Sequence, residues 1–378
     1  TRNRMKEVLE EAGYTIAFST NPSQTNTNLY IGINGSDGAA NRYAVENNLP
    51  LAVFETGDNK FDPYLLQIND MHPHGDIVIL GNDKGSEFYA FATLEQILEQ
   101  TDGNSIRQIT FEDYSHTQYR GIVEGFYGQP WSHADRIEQI RFYGRIKLNT
   151  YIYGPKDDPY HSSPNWRKPY PAEEAEHIKE LAEEATHNKV NFVWAIHPGQ
   201  DIQWNLTDSM NILSKFEKMY DLGVRSFAVF FDDISGEGAR PEKQAGLLNY
   251  IHKEFITKKN DVQPLIMCPT EYNRSWAKTD YLDILGTQLD PAIQIMWTGD
   301  RVVADITKEG VEWVNNRIRR PAYIWWNFPV SDYCQDHLLM GPAYGLDTQA
   351  AGTMTGFVSN PMAVSYTHLR AHETGRNL

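Results

Sequence analysis

Cysteine is scarce. The 378 residues contain two, Cys268 and Cys334, too few for a disulfide framework to hold the fold. Long apolar runs are also missing: none approaches the roughly 18–20 residues that a membrane-spanning helix needs. The opening TRNRMKEVLEEAG has neither the apolar centre nor the cleavage site of a signal peptide. It reads as the middle of a helix, so the natural polypeptide is expected to begin upstream. Positive charge is outweighed, with 34 Lys and Arg against 50 Asp and Glu and a net charge of −16 with His neutral. That argues against a nucleic-acid or anionic-membrane partner, because both demand a basic surface. No glycine-rich phosphate turn follows any apolar run, which counts against an open dinucleotide-binding sheet. What is present in quantity is apolar and aromatic: 40% hydrophobic, 12% aromatic and 22% charged, the composition of a folding chain rather than a disordered one. At about 100–200 residues per domain, two domains are expected.

Residues 1–115 read as an N-terminal α+β domain. Thr15–Phe18, Leu29–Ile33, Tyr64–Asn69 and Asp76–Gly81 are short apolar or alternating runs closed by Asn, Gly or Pro, which predict strands. Lys84–Gln100 carries Phe88, Phe91, Leu94, Ile97 and Leu98 at helical spacing, and Ile106–Phe111 reads as one more strand. His72-Pro-His74 has the spacing of a two-histidine metal clamp, but with no third ligand in view a plain loop is the reading.

From Tyr119 a regular beat sets in. Apolar runs at Ile122–Phe126, Thr150–Tyr153, Phe192–Ile196, Ser226–Phe231, Leu265–Cys268, Ile293–Trp297, Tyr323–Trp326 and Gly356–Val358 alternate with helix-like segments. Those segments are Ser132–Lys147, Pro171–Asn188, Thr207–Leu222, Pro241–Lys258, Tyr281–Gln288, Thr307–Ile318 and a short one at Asp336–Leu339. Continuous apolar strands alternating with amphipathic helices predict a parallel sheet covered by helices. Eight of them in residues 116–362 match the size of a (β/α)8 TIM barrel. After the eighth run a helix is due, but MAVSYTHLRAHETGRNL has no helical stripe. Residues 363–378 are therefore expected to be a non-native tail on a barrel truncated at its C-terminal end. A flank left bare in that way exposes apolar surface, so self-association into a homodimer is an expectation.

In such a barrel the chemistry sits at the C-terminal ends of the strands. Those ends carry Glu124-Gly125-Phe126-Tyr127, Gly154-Pro155-Lys156-Asp157-Asp158, His197-Pro198-Gly199, Phe231-Asp232-Asp233, Pro269-Thr270-Glu271-Tyr272, Thr298-Gly299-Asp300, Asn327-Phe328-Pro329 with Asp332 beyond, and Ser359-Asn360. Carboxylates and amides among aromatic faces suit a sugar, whose ring stacks while its hydroxyls take hydrogen bonds.

Asp232-Asp233 is the sharpest feature. Two adjacent carboxylates in a dry pocket cannot both stay ionised comfortably, so one is expected to hold a raised pKa. Neighbours on a strand point in different directions, which places them poorly as an acid-plus-nucleophile pair. In the better reading Asp233 protonates the leaving oxygen while Asp232 grips the sugar. If it grips a 2-acetamido N–H, the acetamide oxygen becomes the nucleophile. A metal-ligand pair and a helix N-cap are the plainer alternatives. Glu124 and Glu271 are acid candidates for a conventional two-carboxylate glycosidase. Lys156 reads as a solvated charge or a buried sugar ligand, His197 as a general base, metal ligand or turn histidine, and Cys268 as a small core-lining residue without a His partner.

RGIVEGFYGQPWS, NTYIYGPKDDPYH, WAIHPGQDI, FAVFFDDISG, MCPTEYN, IMWTGDRV, YIWWNFPVSDY and GFVSNPM resemble glycoside hydrolase family 84. These are retaining β-N-acetylglucosaminidases that include the O-GlcNAcases, and the likeness is greatest to bacterial members of the kind found in Bacteroides. It covers about residues 119–362, motif by motif in order; the helical domain that follows the barrel in the family is missing and the tail after Met362 does not match. The resemblance implies that Asp232 orients and polarises the 2-acetamido group and that Asp233 is the general acid/base, acting through an oxazoline intermediate. It implies that Gly125, Lys156, Asn327, Asp332 and Asn360 bind sugar hydroxyls or the acetamide region, with Asp332 on the 4- and 6-hydroxyls. Tyr272 is implied to bond near the acetamide, and Tyr127, Cys268, Thr298, Val302 and Trp325 to form pocket walls. No metal or organic cofactor is implied. The partners implied are glycans or glycoproteins bearing N-acetylglucosamine, and the source an exported bacterial enzyme. A catalytically weak carbohydrate-binding module is the alternative that the truncated barrel would allow.

Overall fold

A computed structural model of the chain describes residues 2–57, 59–101, 105–277, 279–334, 336, 337, 339 and 341–362. The expected tail at 363–378 lies outside the described residues. Two compact units form, one from residues up to 118 together with 142–147, the other from 119–141 and from 148 onward.

The first unit contains α1 (Arg2–Glu11), β1 (Asn28–Ile33), α2 (Ala39–Glu46), β2 (Phe61–Asn69), β3 (Asp76–Gly81), α3 (Lys84–Glu99) and β4 (Ile109–Ser115). Its sheet runs β1-β3-β2-β4, with β1 parallel to β3 and β2 antiparallel to both β3 and β4. Alternation along the strands divides the apolar residues between two faces. Leu66, Ile68 and Ile79 pack with Phe88, Phe91 and Leu94 of α3, while Leu65, Val78 and Leu80 pack with Ala40 and Ala44 of α2. Asp83 starts α3 by accepting from the backbone N–H groups of Gly85 and Ser86, both at 2.9 Å, which satisfies two otherwise orphaned donors. Thr15–Phe18, expected as a strand, is coil, and the last strand begins three residues later than Ile106. The run Thr15–Phe18 is apolar at alternate positions but pairs with no strand of the sheet.

The second unit is the expected barrel. Strands β5 (Tyr119–Glu124), β6 (Thr150–Tyr153), β7 (Asn191–Ile196), β8 (Ser226–Phe230), β9 (Ile266–Cys268), β10 (Gln294–Trp297), β11 (Tyr323–Trp326) and β12 (Gly356–Ser359) are all parallel, and β12 pairs with β5 to close the ring. Between them run α4 (His133–Arg145), α5 (Ala172–His187), α6 (Leu206–Asp221), α7 (Pro241–Glu254), α8 (Tyr281–Gln288) and α9 (Lys308–Ile318). Every second strand residue points inward, so Val123, Ile152, Val193, Ala195, Ala228, Phe230, Cys268, Met296, Trp325 and Val358 form one interior cluster. The outward residues meet the helix stripes. Trp194, for example, packs edge-on against Phe216 of α6 with ring centroids 6.1 Å apart. Asn205 and Thr307 cap α6 and α9 through their side-chain oxygens. The short helix expected at Asp336–Leu339 falls partly outside the described residues, and the described ones there are turn and coil.

Candidate active site

The barrel brings the strand ends into one ring. Asp232 and Asp233 follow β8 and diverge at once, because Asp233 adopts φ 54°, a left-handed conformation uncommon outside glycine. Asp232 is 5% exposed and receives an ion-paired hydrogen bond from Lys156 Nζ on Oδ2. Its Oδ1 is buried, carries no hydrogen bond among the described residues and lies 3.5 Å from His197 Nε2. Asp233 is exposed and accepts two phenolic O–H bonds, from Tyr127 at 2.7 Å on Oδ2 and from Tyr272 at 2.8 Å on Oδ1.

The electrostatics fix the charge state of the buried aspartate. Burial drives the Asp232 carboxyl up, but the Lys156 ammonium and the His197 ring outweigh it and hold the group below its ordinary value. It is therefore Asp232, the buried member, that is kept ionised. The phenols of Tyr127 and Tyr272 are pushed up by burial and by Asp233, so both remain donors. Lys156 is no solvated charge: its side chain is 9% exposed, and although burial pulls its ammonium down, Asp232 lifts it above the ordinary value. It lies 5.4 Å over the Tyr127 ring and 5.9 Å over that of Trp325.

A second set of contacts joins β5, β11 and β12. Asn327 Oδ1 accepts from Trp325 Nε1 and from Asn360 Nδ2, both at 2.9 Å, and its own Nδ2 donates to the Val302 carbonyl at 2.7 Å. The Gly125 N–H reaches Asn360 Oδ1 at 3.4 Å, and the Tyr127 N–H donates to Asp332 Oδ2 at 2.9 Å. Gly125 is required here, since a Cβ would sit 2.3 Å from the Trp325 ring. Thr298 donates to the Arg301 carbonyl at 2.9 Å, and its backbone N–H to that of Tyr272 at 2.9 Å. Val302, Cys268, Tyr272 and Trp325 share the interior cluster. Burial pushes the Cys268 thiol well up, which leaves it a neutral wall and no nucleophile.

Of the other acid candidates, Glu124 is spoken for. Glu124 is fully buried and accepts from Arg136 Nε at 2.9 Å and Nη2 at 2.8 Å, from the Trp131 N–H at 3.1 Å and from the Tyr151 hydroxyl. A carboxylate so filled has no lone pair left for a substrate. Glu271 bonds to the Thr279 hydroxyl at 3.2 Å, and burial raises its pKa. The rings of His72 and His74 stand 5.8 Å apart, and no group of three or more His, Cys, Asp or Glu among the described residues is arranged to hold a metal. Trp276 was not foreseen. It is 45% exposed and packs on Tyr272 with ring centroids 4.8 Å apart; an aromatic residue four positions past Tyr272 in a strand-end loop was the available signal.

A closed parallel barrel with a carboxylate pair on its C-terminal rim is the layout of a glycoside hydrolase. The pattern that defines the beta-N-acetylglucosaminidase family matches residues 120–374, and the chain belongs to that family. The chain is similar to the Protein O-GlcNAcase of Rattus norvegicus and that of Mus musculus, each 35% identical over 254 residues, which is 64% of this chain and 28% of theirs. Among solved structures it is similar to CpGH84D, at 36% identity and a TM-score of 0.85 over 96% of this chain and 60% of that one. A mutant O-GlcNAc hydrolase of Thermobaculum terrenum is 35% identical with a TM-score of 0.62, over 66% of this chain and 56% of that one. The resemblance to family 84 read from the motifs therefore holds. The chain spans less than a third of the curated relatives that it matches.

Proposed function

We propose that the barrel is a retaining, exo-acting β-N-acetylglucosaminidase that removes terminal β-linked N-acetylglucosamine from glycans and from Ser or Thr of glycoproteins, with the substrate's own acetamide as nucleophile. The observation that carries this reading is the buried, ionised Asp232, with one oxygen on Lys156 and the other, 3.5 Å from His197 Nε2, without a hydrogen bond among the described residues. Leaving a buried acceptor unsatisfied costs about 1–3 kcal/mol, so such an atom is a standing invitation to a donor. An acetamido N–H is a donor of the right kind, and bonding it makes the acetamide oxygen a better nucleophile.

In the first step the acetamide oxygen bonds to C1 while the bond from C1 to the leaving oxygen breaks, and Asp233 gives that oxygen its proton. Asp232 offsets the positive charge that grows on the acetamide nitrogen. In the second step water attacks C1, Asp233 takes the water proton, and the oxazoline ring opens with the configuration at C1 retained. Asn327, Asp332, Asn360 and the Gly125 backbone are assigned to the sugar hydroxyls and acetamide, and Trp325, Cys268, Thr298 and Val302 to the walls. Tyr127 and Tyr272 steer Asp233.

Hydrolysis of an aryl β-N-acetylglucosaminide is to be compared with that of the matching β-glucoside, for the wild type and for Asp232→Ala. The proposal expects cleavage of the acetamido sugar alone, lost in the variant. Equal cleavage of both sugars would overturn it and return attention to Glu271. Folded protein that binds the acetamido sugar but cleaves neither would favour a binding module.

A further inference from the structure

His197 is assigned no step of the proposed reaction, yet it is 6% exposed and lies against both the backbone carbonyl and the side chain of Asp232. It follows β7, whose register against β8 pairs Ile196 with Val229, so the two strands leave the barrel side by side. Its backbone is pinned on the other flank, where its N–H donates to the His161 carbonyl at 2.8 Å. The ring's Nε2 lies 2.8 Å from the carbonyl oxygen of Asp232. A carbonyl only accepts, so the proton is on Nε2 and the ring donates.

That carbonyl belongs to the peptide unit linking Asp232 to Asp233. Its orientation sets ψ of the first residue and φ of the second, and the second is held at φ 54°. Left-handed φ is uncommon for any residue but glycine, and the contacts around it decide whether it is kept. With this peptide turned back, Asp233 would leave Tyr127 and Tyr272, and Asp232 would shift against Lys156. We infer that His197 is a positioning residue that holds the peptide between the two aspartates in the orientation that sends one carboxylate to Lys156 and the other to the two phenols. The inference rests on the proposed function of the same site.

The test uses the whole chain with His197→Phe and His197→Gln. Phenylalanine keeps the ring and loses the donor, whereas glutamine carries an amide N–H to about the place of Nε2. Turnover of an aryl β-N-acetylglucosaminide is read as separate kcat and KM, and the φ of Asp233 is read from a crystal structure of each variant. We expect His197→Phe to lower kcat by about 100-fold, the usual cost of reacting groups misplaced by an ångström, with a smaller change in KM. Asp233 should leave the left-handed region in that variant. Glutamine should restore most of kcat and the wild-type φ. Equal losses in the two variants, in step with the folded fraction, would reduce His197 to a packing residue and overturn the inference. A wild type without glycosidase activity would overturn the functional reading instead. In that case the φ of Asp233 in the two variants still decides the matter: an unchanged left-handed turn in His197→Phe refutes the inference.

Discussion

Lys156→Met isolates the charge that faces Asp232. Methionine keeps the length and much of the volume of the side chain and removes its ammonium. Both partners are shielded, with side chains 9% and 7% exposed, so the loss falls in a dry site. Removing one member of a buried pair costs about 3–5 kcal/mol, because the charge left behind has no compensation. Asp232 can escape part of that cost by taking up a proton. In the wild type burial pushes its carboxyl up, and Lys156 leads the groups that bring it below the ordinary value. The pair therefore stabilises the fold above the unfolded carboxyl value of about 4, and that contribution is lost as pH falls through the depressed folded value. In the variant burial prevails and the sign reverses: the folded state binds the proton more tightly than the unfolded one, and stability falls as pH rises above about 4. A loss of about 3 kcal/mol in a unit of this size lowers the midpoint by roughly 6–12 °C. Thermal denaturation between pH 4 and 8 should show the gap between the variant and the wild type narrow in acid and wide at neutrality. Hydrolysis of an aryl β-N-acetylglucosaminide at pH 7 should fall by about 100-fold or more, the scale for loss of one group that stabilises charge in the transition state. A variant that melts with the wild type at both ends of this range would refute the reasoning.

Four further outcomes are expected. Asp233→Asn should lower kcat by about 10²–10⁴-fold on substrates with poor leaving groups while calorimetry finds an oxazoline mimic still bound. Tyr272→Phe removes one of two donors to Asp233, a bond worth about 0.5–1.5 kcal/mol; kcat should drop roughly 2- to 10-fold in steady-state assays, and the melting temperature by roughly 1–6 °C. Glu124→Gln removes the buried partner of the partly buried Arg136 and should cost about 3–5 kcal/mol by denaturant titration, with kcat per folded molecule largely retained; loss of kcat without loss of stability would reinstate Glu124 as an acid. His161 is buried neutral, its ring pushed down to about 4 by burial from an ordinary 6.5. The folded state thus binds fewer protons than the unfolded one, and stability declines as pH drops from about 6.5 to about 4, by up to roughly 3 kcal/mol. His161→Phe should flatten the melting curve against pH in that window.

The barrel was legible because a strand buried on both faces must be apolar throughout, and runs such as Thr150–Tyr153 and Tyr323–Trp326 coincide with their strands. The rim could be searched because a parallel barrel puts its chemistry at one end. Partnership was not legible. Lys156 meets Asp232 across 76 positions of sequence, and nothing local distinguishes it from a solvated lysine. Glu124 looked like a free acid because Arg136 and Tyr151, which fill it, stand on other elements. The ionised state of Asp232 was hidden for the same reason, since it depends on a cation that only the fold brings near. In the N-terminal unit α2 was missed: its eight residues have no side-chain cap, and two buried alanines give a faint stripe.

Asn360 closes the polar chain that runs through Asn327 to Trp325, and it meets Gly125 across 235 positions of sequence. The same place is where the last strand meets the first and the ring shuts. During synthesis at the ribosome the two aspartates emerge long before the residue that completes their pocket. A nascent barrel therefore carries its reactive groups through the synthesis of its last four strands without the surface that would let them recognise a sugar. Chemistry and recognition become joined only as the final strand docks, so the appearance of sugar binding in timed or stalled chains would report closure of the ring itself.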